Sequence, residues 1–159
     1  MDYLIWKLLH VFSVIIFLGN ITTGLFWASR ANKTRDFKQI SKTFQSIIKS
    51  DRVFTIPGII GITITGFLAA INAGIPLLRT GWIFWPIVLF IVSGIFFSIY
   101  VAPLQRKILS YTNTNEMSDN NWTEYTKLFK LWELWGFLAL ITPYAAMVIM
   151  ILKPNISGL

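Results

Sequence analysis

The sequence has no cysteine among its 159 residues. This absence excludes disulfide bonds, thiolate metal sites, cysteine nucleophiles and covalent attachment of c-type heme. Charge is scarce as well: 13% of the residues are Asp, Glu, Lys or Arg, whereas soluble domains have about a quarter. With 55% hydrophobic residues and a mean hydropathy of +0.62, too little polar material remains to cover a water-exposed surface. The composition therefore predicts a membrane protein.

Histidine and buried acids are also few. His10 is the only histidine in the sequence, so one chain cannot build a di-heme arrangement or a multi-histidine metal site. Glu133 is the only acidic residue within an apolar run. The spans predicted below place it and His10 at opposite ends of the bundle, which excludes a carboxylate–histidine dyad.

Four long apolar runs determine the predicted fold. Each is close to the roughly 20 residues that a helix needs to cross about 30 Å of hydrocarbon. They lack the alternation of polar and apolar residues that transmembrane β-barrels require. The sequence predicts an all-α polytopic membrane protein, a four-transmembrane-helix antiparallel bundle forming one domain over residues 1–159. The predicted spans are about residues 8–27, 53–73, 82–101 and 131–152.

Basic residues predict the orientation of this bundle. Of the 14 Lys and Arg residues, seven lie in the first connector, residues 30–52, and four in the third, residues 105–130. The positive-inside rule places both connectors in the cytoplasm and both termini outside. We expect the bacterial cytoplasmic (inner) membrane. This distribution explains the net charge of +7 without a nucleic-acid partner.

The first connector has a helical pattern of its own. Phe37, Ile40, Phe44 and Ile47 recur at helical spacing, and lysines occupy the other faces. The pattern predicts an amphipathic helix on the membrane surface, attracted to anionic lipid, or an extended helix that continues the first or second span.

Polar and small residues indicate which helix faces meet. A stripe on the first span contains His10, Ser13, Phe17, Asn20, Gly24 and Trp27. Because lipid is a costly environment for histidine and asparagine, this stripe should face the bundle interior. A stripe on the second span contains Gly58, Gly61, Thr65 and Ala69. The intervals of four from Gly61 to Thr65 to Ala69 predict close packing of two helices.

His10 is the predicted centre of any chemistry. Counting about 1.5 Å per residue along antiparallel helices places Tyr144 and Met147 at its depth. We expect His10 to ligate a heme iron, with Met147 or Met150 as the second axial ligand and Tyr144 as a hydrogen-bond partner. The cations on the same side that would neutralise the heme propionates are Lys7, Arg79 and Lys153.

Motifs along nearly the whole chain resemble those of one known family. They are Tyr-Leu-Ile-Trp-Lys-Leu-Leu-His at residues 3–10, Gly19, Gly24, Arg30, Asp-Arg-Val-Phe-Thr-Ile-Pro at residues 51–57, Thr65-Gly66, Gln105, Phe-Lys-Leu-Trp at residues 129–132 and Lys153-Pro154. On these residues the chain resembles an uncharacterised bacterial family of predicted four-helix integral membrane proteins, a domain of unknown function. The resemblance implies the topology and brings no established activity.

Two of these motifs are also distantly similar to HemJ-like membrane proteins, a family of protoporphyrinogen oxidases. They are the opening Lys-x-Leu-His and the terminal Lys-Pro. The resemblance implies binding of b-type heme at His10. That family also has a lysine on its third helix, whereas residues 82–86 here, Trp-Ile-Phe-Trp-Pro, contain none. Heme binding is thus the implied property, and protoporphyrinogen oxidation is not.

Three functions stay open at this point. The first is binding of heme b near the outer side of the bundle through His10, in a heme-linked redox role. The second is a non-catalytic assembly or interaction subunit, in which His10 bonds a neighbouring helix and the chain joins a homo-oligomer or another membrane protein. The third is a small transporter, with His10 and Glu133 as its ionisable groups.

Overall fold

The structure, a computed structural model, describes residues 2–159 and is almost entirely helical. A π-helical turn joins α2 to α3, and a second joins α4 to α5. The helices are α1 (Tyr3–Lys33), α2 (Phe37–Ser50), α3 (Ile56–Asn72), α4 (Gly81–Phe96), α5 (Ala102–Thr114) and α6 (Asp119–Leu152), and the π turns are Asp51–Thr55 and Phe97–Val101.

These elements form long helical rods that confirm the all-α four-helix architecture. Within the described residues, four helices are long and apolar enough to cross a membrane, namely Tyr3–Lys33, Phe37–Asn72, Gly81–Thr114 and Asp119–Leu152. Each exceeds its apolar run because the connectors are themselves largely helical. Residues 30–52 and 105–130 therefore extend the rods beyond the apolar region at one end of the bundle. We call this end, which carries most of the basic residues, the basic end.

Close helix packing joins α1 to α3, and α4 packs on α6. The small-residue stripe of α3 creates the first contact, as the sequence predicts. A methyl group on Gly58 would lie 3.1 Å from the Phe17 side chain. On Gly66 it would lie 2.8 Å from the His10 ring. The missing side chains let the two backbones approach closely.

An apolar core fills the basic end, between α2, α5 and α6. From α2, Phe37, Ile40 and Phe44 are buried. The Phe44 ring meets the Trp132 ring of α6 edge to face, with centroids 5.0 Å apart. The extended-helix alternative for the first connector is thus confirmed: α2 continues into the second span, and its apolar face covers protein rather than lipid.

Each π turn ends two residues before a proline. Pro57 follows the turn Asp51–Thr55, and Pro103 follows the turn Phe97–Val101. Proline has no N–H, and its ring crowds the carbonyl four residues earlier. Those carbonyls belong to Val53 and Ile99, inside the two turns. Widening the helix at these points relieves the crowding and re-aims the local side chains.

The opposite end is closed by the C-terminal tail. After α6, the tail folds back so that Ser157 forms an antiparallel bridge with Thr80. The Leu159 N–H donates to the Leu78 carbonyl at 2.8 Å, and the Trp85 indole N–H donates to the Ser157 carbonyl at 3.2 Å. The tail thus ties the loop between α3 and α4 to the end of α6.

Candidate functional site

A buried carboxyl group lies where α1, the first π turn and α5 meet. The Asp51 residue is 8% exposed. Its Oδ1 accepts from Asn20 Nδ2 at 3.1 Å and from Thr55 Oγ1 at 2.8 Å. Its Oδ2 accepts from Gln105 Nε2 at 3.1 Å. Asn20 Nδ2 also donates to Thr55 Oγ1 at 2.8 Å. We call these four residues the Asp51 cluster.

The helix geometry explains this convergence. Asp51 and Thr55 begin and end the first π turn, so both face the interior. Gln105 lies two residues after Pro103, beyond the second π turn. Asn20 lies on the inward stripe of α1. The two proline-associated turns therefore bring side chains from separate hairpins to one point.

No cation compensates the Asp51 carboxyl group within residues 2–159. The one ion pair in that range joins Lys127 and Glu124, both exposed, at 2.7 Å. The partners of Asp51 are neutral donors, two amides and one hydroxyl. Burying an uncompensated carboxylate is costly, so such a group is stabilised by gaining a proton or a bound cation.

A cavity of about 70 Å³ adjoins the Asp51 cluster. All four cluster residues line it, together with Ser93 and Trp132. The Trp132 indole N–H is buried and has no hydrogen-bond partner. A cavity with both polar groups and an unsatisfied donor differs from the dry voids found in apolar cores.

His10 points toward a neighbouring helix rather than lipid, as expected for the inward stripe, and that helix is α3. Its Nδ1 lies 3.0 Å from the Ile62 carbonyl and 3.5 Å from Thr65 Oγ1. Because a carbonyl only accepts, Nδ1 carries the proton and donates, which leaves Nε2 with a free lone pair in the neutral ring. The ring occupies the space that the missing side chain of Gly66 provides. His10 does not line the cavity.

Tyr144 and Met147 do not share the depth of His10, which corrects the expectation from helix counting. The Tyr144 hydroxyl lies 3.0 Å from Thr22 Oγ1. Thr22 is about 18 Å further along α1 than His10, at 1.5 Å per residue. Met147 follows Tyr144 by one turn and is still nearer to the depth of Leu18 than to that of His10. The counting failed because the apolar runs of α1 and α6 are offset along the bundle: with Tyr144 beside Thr22, the end of α6 at Leu152 reaches only about the depth of residue 14.

The predicted cationic residues lie near the end closed by the tail. Lys7 and Arg79 are exposed. The Lys7 ammonium is 5.9 Å from the Tyr3 ring centroid, and the Lys153 ammonium is 4.7 Å from that of Trp82. Neither Lys7 nor Arg79 lines the cavity. Their role toward heme propionates stays a prediction.

The Asp51 cluster is the part of the site that sequence reasoning missed. Glu133 is the acidic residue inside an apolar run, yet its side chain is exposed. Asp51 lies two residues before the second apolar run, within the first connector. The available signal was the placement of Asp51 and Thr55 on one helix face, four residues apart, together with the side-chain amides of Asn20 and Gln105 on other apolar helices.

Comparisons with known proteins agree with this architecture. A family model described as "Predicted integral membrane protein (DUF2269)" matches residues 4–154. No curated protein and no solved structure matches the chain. The expected family of predicted membrane proteins is thereby confirmed, and the similarity to HemJ-like proteins stays a prediction. In the described part of the chain, no group of three or more His, Cys, Asp and Glu residues could hold a metal ion.

Proposed function

This chain belongs to the DUF2269 family of predicted integral membrane proteins, and we propose that it binds a small cation at Asp51 as part of a transport function. The observation that carries the proposal is a buried carboxyl group with neutral donors as its hydrogen-bond partners. Ionisable groups buried among membrane helices are rare and typically mark ion or proton pathways.

The location of Asp51 supports this role. The cluster joins α1, the α2–α3 rod and the α4–α5 rod, and the cavity also contacts α6 through Trp132 and Gly136. A charge change at Asp51 therefore acts on the packing of every rod. By the positive-inside rule, the basic end is the cytoplasmic end. Asp51 then exchanges its cation nearer to the cytoplasm than to the opposite side.

Flux measurements in lipid vesicles test the proposal. The purified chain is reconstituted, and uptake of protons and of Na⁺ is followed with dyes trapped inside under an imposed membrane potential. We expect flux above that of protein-free vesicles, and we expect Asp51→Asn to reduce it to the protein-free level. Asparagine keeps the size of the side chain but cannot hold a proton or carry the negative charge.

Glu133→Gln is the matched control, because it removes an exposed acid without touching the cluster. Its flux should equal that of the unsubstituted chain. Wild-type vesicles that are no leakier than protein-free ones would refute the transport function. Equal flux in Asp51→Asn and wild type would place the pathway elsewhere. If Glu133→Gln alone reduces flux, the earlier assignment to Glu133 is the correct one.

We propose axial ligation of b-type heme by His10 as a second candidate function. One observation favours it: the Nδ1 contact with the Ile62 carbonyl at 3.0 Å fixes the tautomer that exposes Nε2, as in many metal-binding histidines. An absorbance spectrum of protein purified with added heme tests this. We expect a Soret band that His10→Ala abolishes. A spectrum unchanged by His10→Ala would reject His10 as the ligand.

A further inference from the structure

The contacts of Asp51 distinguish between the cations that it could bind. All three partners present hydrogen atoms to the carboxyl oxygens: the amide N–H groups of Asn20 and Gln105 and the hydroxyl of Thr55. Hard metal ions require several oxygen ligands around one point. The cluster offers a metal ion few oxygens besides those of the carboxyl group, because each amide directs its nitrogen toward Asp51 and Thr55 Oγ1 already accepts from Asn20.

Trp132 gives a second, independent indication. Its indole N–H is a donor that cannot accept a hydrogen bond, and it is buried without a partner while the residue lines the cavity. A metal cation in this cavity would be repelled by the N–H. A water oxygen would satisfy it. Buried water typically pairs with such otherwise unsatisfied groups.

The space and the free acceptor positions fit water as well. The cavity of about 70 Å³ exceeds the roughly 10–15 Å³ that one water molecule requires. Asp51 Oδ2 accepts from Gln105 only, so one of its lone pairs is free. A water molecule can therefore accept from Trp132 Nε1 and donate toward Oδ2.

Asp51 is the one ionisable residue that lines this cavity. The charged side chains nearest in sequence or packing are all exposed, and none contacts the carboxyl group: Arg30 on α1, Lys49 and Arg52 beside the first π turn, Arg106 on α5 and Glu133 on α6. Their charges are screened by solvent, so they modulate the site without pairing with it.

We infer that Asp51 takes up a proton from water held in this cavity, an inference that rests on the proposed cation site. One O–H bond of the cavity water breaks as an O–H bond to Oδ2 forms, and a proton arriving from solvent water restores the O–H bond, so that the molecule in the cavity remains neutral water. Trp132 positions this water by donating to its oxygen. Trp132 is thus a positioning residue, and Asp51 is the group that carries the proton.

Infrared titration of the full chain in lipid nanodiscs tests the inference. We expect a carboxylic C=O band from Asp51 that appears as the pH falls and is absent in Asp51→Asn. The titration midpoint should shift in Trp132→Phe, because the water loses one of its partners. It should not change when Na⁺ replaces K⁺ at constant ionic strength. Trp135→Phe is the control, since Trp135 stacks on Tyr100 and does not line the cavity.

Labelling the aspartate side chains with ¹³C assigns the band to aspartate, and Asp51 is the one buried aspartate among residues 2–159, so the test stays valid if Asp51→Asn does not fold. A midpoint that depends on Na⁺ and ignores Trp132→Phe would overturn the inference in favour of a metal ion. In that case Asp51-dependent flux in vesicles would still support the proposed function. Flux unaffected by Asp51→Asn would instead remove the proposed function itself.

Discussion

Gly66 and His10 show how one absent side chain positions a polar group inside an apolar bundle. The His10 ring fills the space beside Gly66: a Cβ added at Gly66 would lie 2.8 Å from the nearest ring atom. From there it bonds the Ile62 carbonyl, a group already engaged within α3. The histidine is therefore satisfied by the neighbouring helix, whether or not Nε2 binds anything else.

Substituting Gly66 tests this fit. We expect Gly66→Ala to lower the free energy of unfolding by about 1–3 kcal/mol, the usual cost of overpacking. The added methyl group would push the ring away from Ile62. Unfolding in mild detergent by heat or denaturant measures the change.

Gly19→Ala is the matched control, since a methyl group there meets nothing within 4 Å. It should be neutral or slightly stabilising, because alanine favours the helix over glycine. Equal losses in the two variants would mean that helix flexibility, and not the His10 contact, accounts for the effect.

Pro143, inside α6, affects its helix differently from Pro57 and Pro103, which follow the π turns. Pro143 cannot donate to the Ala139 carbonyl, and α6 stays α-helical there. Ser93 of α4 supplies the missing donor, with its hydroxyl 2.6 Å from that carbonyl. The carbonyl that Pro143 leaves without a donor in α6 therefore accepts a hydrogen bond from α4. Neighbouring helices commonly pair such carbonyls inside membranes, where water is absent.

A double-mutant cycle on this pair tests the compensation. Ser93→Ala should cost about 1–3 kcal/mol, because it leaves a buried carbonyl poorly paired. The same substitution together with Pro143→Ala should cost much less, since the restored N–H can bond the carbonyl within α6. Unfolding measurements on the four chains give the coupling energy. A coupling energy of zero would show that the two residues act independently.

The topology makes a further prediction about which groups face the same side of the membrane. The chain has no cysteine, so single cysteines can be introduced without background. We expect Lys42→Cys and Asn120→Cys to react with a membrane-impermeant maleimide from one side, because both lie at the basic end. Asn155→Cys, in the tail, should react from the other side.

Intact and permeabilised cells distinguish the two sides in this labelling experiment. Lys42→Cys and Asn120→Cys should react only after permeabilisation if the basic end is cytoplasmic. Opposite labelling of these two positions would contradict the four-span topology. Labelling of both in intact cells would keep the topology and reverse the orientation.

The spans were predictable because hydrophobic length depends on local sequence alone. The inward-facing stripe of the first span and the small-residue packing face of the second were predictable too, because both follow from helical spacing. The depth of Tyr144 and the Asp51 cluster were not. The depth of Tyr144 depends on the offset between α1 and α6, and Asp51 and Gln105 converge through π turns that helical counting does not include.

Each π turn also contains one residue more than the α-helical turn that it replaces. Removing a single residue from 52–54 would therefore leave α2 and α3 in register, whereas the same deletion inside α3 would rotate everything after it by about 100°. Differences in length among homologues should accordingly concentrate at these two places. Chains that lack the extra residue would have straight helices, and their equivalents of Asp51 and Gln105 would no longer meet.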